Sequence, residues 1–164
     1  MAKRLLSCWV LSLVALVLVV GQALAGSGEA GDIKGWEHGS EYDKLYDPKD
    51  ADTLKGRVTK IYTFTPAPGM AEGIAIQVED KKDKGLETVH VGPKSAVDLA
   101  AIGLKVGDQV KVFGAWTDMD DQDVLLASKI KKEDGAQLKV RRTKDGFPFW
   151  SMTPEERTKE VSQD

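Results

Sequence analysis

Cysteine is almost absent from this sequence, and its absence excludes several kinds of site. Cys8 is the one cysteine among 164 residues, and it lies in an apolar N-terminal stretch that we expect to be removed. The remaining chain then cannot form disulfides, thiolate metal sites, covalent haem attachments or a cysteine nucleophile. Its stability must come from an apolar core.

Histidine is also scarce, since the chain has only His38 and His90. Paired carboxylates, a base beside a nucleophile, or metal ligands at a recognisable spacing would indicate catalysis, and the sequence has none of them. His90 and Met70 are two soft ligands of the kind that suit copper(I), but two are too few for a dedicated site. We therefore expect no enzymatic activity, no resident metal and no cofactor.

Residues 1–25 have the order of a secretory signal. Lys3 and Arg4 precede an apolar run of 16 residues, and Ala25 ends a small-residue cleavage motif before Gly26. The run is shorter than the roughly 20 residues that span a bilayer. We expect cleavage after Ala25 and a periplasmic or secreted mature protein without a membrane span. Retention of the signal as an anchor is the alternative.

Charge and composition divide the rest of the chain into three parts. Residues 26–52 form an acidic flanking segment with 3 basic and 8 acidic groups, whereas residues 53–150 form a domain with 16 and 14. Residues 151–164 are expected to form a short helix and tail, because Thr153 can cap a helix. The segment 26–52 is too aromatic for a linker, so we expect it to lie against the domain.

Alternating apolar and polar residues predict short strands along the domain. The alternating runs cover residues 54–65, 74–79, 87–91, 108–116 and 124–130. Ser95 as a cap and Gly103 as a left-handed terminus predict a short helix over residues 96–102. The Asp145-Gly146 pair predicts a tight hairpin between residues 137–143 and 147–150.

The order of these elements matches that of the OB fold, a five-stranded, partly open Greek-key barrel. Residues 103–114 and 124–130 resemble the fourth and fifth strands of bacterial OB-fold proteins. Pro68-Gly69-Met70, residues 89–93 and residues 138–150 resemble small exported bacterial OB-fold proteins without an assigned function. The resemblance implies a mainly β fold: a five-stranded OB-type Greek-key barrel with one short helix and an added C-terminal hairpin. It supplies no catalytic residues.

The resemblance also implies a ligand-binding face, because OB folds bind on their second and third strands and the adjoining loops. The strand pattern places Gln77, Thr88 and His90 on the outward side, with Met70 on a neighbouring loop. For His90, an ordinary exposed histidine that is hydrogen-bonded to a neighbour is the alternative.

A basic run near the end of the domain predicts a patch for an anionic partner. It begins at Lys129, Lys131 and Lys132, and the predicted patch itself is formed by Lys139, Arg141, Arg142 and Lys144. Cations beside aromatic residues also suit single-stranded nucleic acid, but export and acidic flanks argue against that partner. Strand-edge lysines that oppose aggregation are the alternative to a binding role.

These observations favour an exported, non-enzymatic binding module for a periplasmic protein or a small anionic ligand. An accessory protein of envelope redox or metal handling is one alternative. Nucleic-acid binding is another.

The aromatic residues that follow the Asp145-Gly146 turn generate a first prediction. We expect this hairpin to pack on the barrel, so Trp150→Ala should lower the melting temperature by many degrees, since removing a buried Trp side chain costs about 3–5 kcal/mol. From the sequence we expect Arg141→Ala and Arg142→Ala to leave it nearly unchanged. Thermal unfolding measures all three, and a wild-type melting curve for Trp150→Ala would place the aromatics on the surface.

Overall fold

The computed structural model describes residues 32–162, so the predicted secretory signal lies outside the described residues. These residues form a mainly β structure, as predicted. Within them the strands are β1 (Ala51–Phe64), β2 (Gly73–Asp80), β3 (Leu86–Pro93), β4 (Gln109–Met119), β5 (Gln122–Lys132) and β6 (Gln137–Lys139). Helix α1 covers Pro154–Val161, and short 3₁₀ turns cover Asp43–Leu45, Pro48–Asp50, Leu99–Ile102 and Phe149–Ser151.

The strands form one sheet that closes on itself. Its order is β3-β2-β1-β4-β5-β6, with antiparallel neighbours, and β3 also pairs with β5 in parallel, at Val89 opposite Leu125. β1 is long enough to pair with β2 along one part and with β4 along another. A register shift between Val58 and Lys60 lies where the two pairings diverge. The five strands β1 to β5 therefore form a closed ring.

An apolar core fills the inside of this ring. It is built from one face of each strand, and its fully buried members include Val58, Ile76, Val89, Val112 and Leu125. These positions follow the alternation of apolar and polar residues in the sequence, because successive side chains of a strand point to opposite faces.

A second apolar cluster lies on the outside of β4 and β5. The N-terminal segment, defined here as residues 32–50, covers Val124 and Leu126 with the rings of Trp36, Tyr42 and Tyr46. β5 is therefore buried on both faces along Val124–Ser128. The expectation that the aromatic flanking segment lies against the domain is confirmed.

A buried ion pair joins the N-terminal segment to the chain after β6. Arg141 is 2% exposed and donates to the carboxylate of Asp43, which also accepts from Gly39 N at 2.8 Å. The guanidinium lies 5.0 Å from the ring centre of Trp150. Gly146, at φ 75°, packs so closely on Tyr46 that a side chain would not fit there.

The predicted surface position of Arg141 is wrong, and the reason is a local break in the strand. The N–H groups of Val140 and Arg141 both donate to the carbonyl of Ser128, at 2.8 and 3.0 Å. Alternation is lost at this point, so two consecutive side chains are buried. The predicted hairpin is also shorter than expected, since β6 ends at Lys139 and only Arg141 pairs with Pro148 beyond it.

The predicted helix over residues 96–102 is a 3₁₀ turn, Leu99–Ile102. Asp98, rather than Ser95, caps it by accepting from Ala100 N at 2.9 Å, while the Ser95 hydroxyl donates to the carbonyl of Asp32. Gly103 ends the turn in the left-handed conformation, as predicted. At the other end of the chain, Thr153 and Glu156 form a complete capping box for α1. Across residues 32–162, no helix has both the length and the apolarity needed to cross a membrane.

The buried pair generates a prediction that replaces the one made from sequence for Arg141. Arg141→Ala removes the guanidinium from the buried Asp43 carboxylate, which keeps the His38 imidazole at 2.9 Å and the Gly39 N–H, and breaking such a buried pair costs about 3–5 kcal/mol of unfolding free energy. Arg142→Ala is the matched control, because this neighbour is partly exposed and its surface ion pairs contribute about 0–1 kcal/mol. Urea unfolding of both variants measures the difference. Equal stability of the two would contradict the buried position of Arg141.

Candidate functional site

The face predicted for ligand binding lies on β2 and β3 with the expected phase. Gln77 lies opposite Thr88 and Ala75 lies opposite His90. The side chains of Val89 and Val91 are buried inside the ring, so Thr88 and His90 lie on its outer side.

The N-terminal segment packs over the His90 end of this face. The Tyr42 hydroxyl lies 2.8 Å from Nδ1 of His90, and the Phe64 ring lies 4.0 Å from the imidazole, centre to centre. Burial lowers the pKa of His90 to about 4 and raises the pKa of Tyr42. His90 therefore lies on the predicted outer face as a half-buried side chain, and it hydrogen-bonds to a neighbour, Tyr42.

Met70 lies in the β1–β2 loop and packs under the N-terminal segment, against Gly35. Its neighbours in the outer cluster are apolar, among them Trp36 and Phe64. Among residues 32–162, no group of three or more His, Cys, Asp and Glu side chains could hold a metal ion.

Cations of the predicted anionic-partner patch already lie next to carboxylates of the same chain. Arg142 donates to Asp145 at 2.6 and 2.8 Å and to Glu160 at 3.5 Å. The Lys139 ammonium lies 3.9 Å from the same Glu160 carboxylate and is 10% exposed. With Arg141 buried, Lys144 alone of the four predicted residues is exposed.

A different basic surface lies on the outer face of β1, β4 and β5. It is a groove with a volume of about 690 Å³, which we call the basic groove. Eight of its lining residues are cationic and two are acidic, Glu79 and Glu133. The cationic residues are Lys55, Arg57, Lys81, Lys84, Lys111, Lys129, Lys131 and Lys132.

Three of these cations form a line across the strands, which we call the lysine row. Lys55 on β1 lies opposite Lys111 on β4, and Lys111 lies opposite Lys131 on β5. Like charges directly opposite each other destabilise a sheet. Ion pairs at the groove among residues 32–162 involve other cations, namely Arg57 and Lys84 with Glu79, and Lys132 with Asp108 and Asp134. Within residues 32–162, no carboxylate lies within ion-pair distance of the lysine row.

One aromatic ring lies in the groove, and lysines cover it. The ammonium groups of Lys111 and Lys129 lie 4.5 and 5.1 Å from the centre of the Phe113 ring. These cation–π contacts hold the charges in place. They also occupy a position over the ring at which a nucleic-acid base would stack.

The predicted basic run includes the groove cations of β5 but not those of β1 and β4. Lys129 and Lys131 belong to the predicted basic run, whereas Lys55, Arg57 and Lys111 lie in the alternating runs 54–65 and 108–116, for which the sequence predicts strands and no binding role. Cations at alternate positions of β1, on the side that points away from the core, are the sequence pattern that indicates such a surface. The register that aligns the three strands cannot be seen in the sequence.

Part of this chain matches a known protein family. Residues 50–136 match the MamS/MamX magnetosome protein family, and this is more than half of the chain. The chain belongs to that family. The matched region runs from the start of β1 to the turn before β6, so it contains the whole lysine row. No curated protein matches the chain.

The buried imidazole generates a prediction about acid stability. The pKa of His90 is about 4 in the folded protein, against 6.5 for an unperturbed histidine, so the unfolded chain takes up the proton first as pH falls. The free energy of unfolding is therefore highest above about pH 6.5. Up to about 3 kcal/mol of it is lost between pH 6.5 and 4, because the unfolded chain binds a proton that His90 in the folded protein does not. Urea unfolding across this range measures the loss, and His90→Gln should flatten the profile.

Imidazole NMR shifts provide an independent measurement of the same group. The His90 ring should stay neutral at pH 5 in the folded protein. A midpoint near 6.5 would mean that the Tyr42 and Phe64 contacts do not shield it.

Proposed function

We propose that the chain is an exported, non-enzymatic binding module of the OB type, and that it holds an anionic ligand or partner in the basic groove. The observation that carries the proposal is the lysine row. Three lysines lie at directly opposed positions of neighbouring strands, with no carboxylate within ion-pair distance among the described residues. An anion placed between them would remove a repulsion that the fold otherwise retains.

The strand arrangement supports the OB-type assignment. Three antiparallel strands, a 3₁₀ turn and two further strands close through the parallel pairing of β3 with β5, and the OB fold is likewise a five-stranded barrel. The proposed site departs from the usual one, because the N-terminal segment packs over the His90 end of the β2–β3 face. Ligands of this chain would bind on β1, β4 and β5 instead.

Binding without chemistry suits the groups that line the groove. Ammonium groups and the amides of Gln109 and Gln137 donate hydrogen bonds to oxyanions. Nucleic acid is a weaker candidate than a non-aromatic anion because the Phe113 ring is covered. Membership of a magnetosome protein family makes the magnetosome the place in which to look for the partner.

Calorimetric titration with inorganic tripolyphosphate tests the proposal, because this probe carries charge without rings or apolar groups. The protein should bind it, and the triple variant K55Q/K111Q/K131Q should bind about tenfold more weakly or worse, since a hydrogen bond to a charged group contributes about 1.5–3 kcal/mol. Affinity should also fall as salt is added.

The matched control changes the same number of lysines elsewhere. Lys34, Lys49 and Lys159 are exposed and lie outside the groove, so K34Q/K49Q/K159Q has the same net charge as the triple variant. It should bind tripolyphosphate as the wild type does. Equal weakening in both variants would mean that net charge, rather than this groove, attracts the anion.

A further inference from the structure

Exposed aliphatic side chains border the basic groove. Among the described residues, the exposed large hydrophobic residues are Leu86, Val106 and Val161, at 58, 59 and 61% exposure. Leu86 begins β3 and lies opposite Glu79, which in turn lies opposite Arg57 on β1. Directly opposed residues share one face of a sheet, so Leu86 lies on the same outer face as the lining residues Glu79 and Arg57.

Val106 lies in the turn before β4, at the same end of the ring. This turn is fixed to β1, because Gly107 N donates to the carbonyl of Val58 at 2.8 Å and Val58 N donates to that of Asp108 at 2.9 Å. Val58 directly follows the groove residue Arg57. Leu86 therefore shares the outer face with groove residues, and Val106 lies in a turn that is bonded to β1 next to the groove residue Arg57.

The charge of the groove contrasts with that of the whole chain. The chain has a formal net charge of −3, yet cations outnumber acids by eight to two along the groove. A cluster of about 4–8 Lys and Arg residues is enough to attract a protein to an anionic lipid surface. Apolar side chains that enter the interface strengthen such adsorption.

A small soluble anion, a single-stranded nucleic acid and an anionic bilayer would use different features of this surface. A small soluble anion would use the lysine row and leave Leu86 and Val106 in water. Single-stranded nucleic acid would need open aromatic faces, and the Phe113 ring is covered. A bilayer surface uses both features, since its phosphates can accept from the lysines while its interfacial region receives aliphatic side chains.

We infer that the basic groove docks the protein on an anionic lipid bilayer. Lipid phosphates lie between the ammonium groups of Lys55, Lys111 and Lys131, and Leu86 and Val106 enter the interfacial region beside them. This inference rests on the proposed function, because it assigns a ligand to the same groove.

Vesicle co-sedimentation of the mature protein tests the inference. The protein should sediment with vesicles of equal parts phosphatidylglycerol and phosphatidylcholine and stay in solution with phosphatidylcholine alone. K55Q/K111Q/K131Q should reduce vesicle affinity at least tenfold, whereas K34Q/K49Q/K159Q should not. L86S/V106S should also reduce it about tenfold while leaving tripolyphosphate affinity unchanged.

The outcomes separate this inference from the proposed function. Binding of tripolyphosphate through the lysine row, without vesicle binding, would overturn the lipid inference and leave the anion-binding function standing. Vesicle binding that L86S/V106S does not weaken would also overturn it. Tighter binding of single-stranded DNA than of anionic vesicles would replace lipid by nucleic acid. Failure of both tripolyphosphate and vesicles to bind would overturn both proposals.

Discussion

The buried pair of Arg141 and Asp43 is the interaction on which the arrangement of this protein depends. It joins two residues 98 positions apart, one before the first strand and one after the last. Its desolvation is costly, and the attraction repays that cost only where geometry and hydrogen bonding are good. Here Gly39 N and the Gly146 carbonyl supply further partners, and the Tyr46 and Trp150 rings lie beside the guanidinium. The pair fixes where the N-terminal segment lies.

The position of that segment decides which surfaces remain available to partners. Trp36 donates from Nε1 to the Ala71 carbonyl at 2.9 Å, and Trp150 donates to the Trp36 carbonyl at 2.6 Å. These bonds hold a layer of rings over His90 and the first half of β5. The outer face of β1, β4 and the second half of β5 stays open, and its cations form the basic groove. The proposed anion site therefore lies on the side of the ring that the N-terminal segment leaves open.

Local rules in the sequence predicted much of the fold. Alternation predicted strands β1 to β5, Gly103 predicted the end of the 3₁₀ turn, and Thr153 predicted the cap of α1. Arg141 could not be predicted, because a cation in an alternating run is expected outside and the doubled bonds to Ser128 break that alternation. The lysine row was hidden for a different reason. It depends on the pairing of residues 55, 111 and 131, and register between distant strands is a property of the folded sheet.

The separation of Asp43 from Arg141 also has a consequence for the order of folding. A ribosome releases residue 43 long before residue 141, so the N-terminal segment has no buried cation to bind until almost the whole domain has been synthesised. Contacts between such distant residues form only after a long loop closes, and folds rich in non-local contacts fold slowly. Until the last strands form, the rings of Trp36, Tyr42 and Tyr46 stay in water. A nascent chain of this kind completes its buried contacts only late in synthesis.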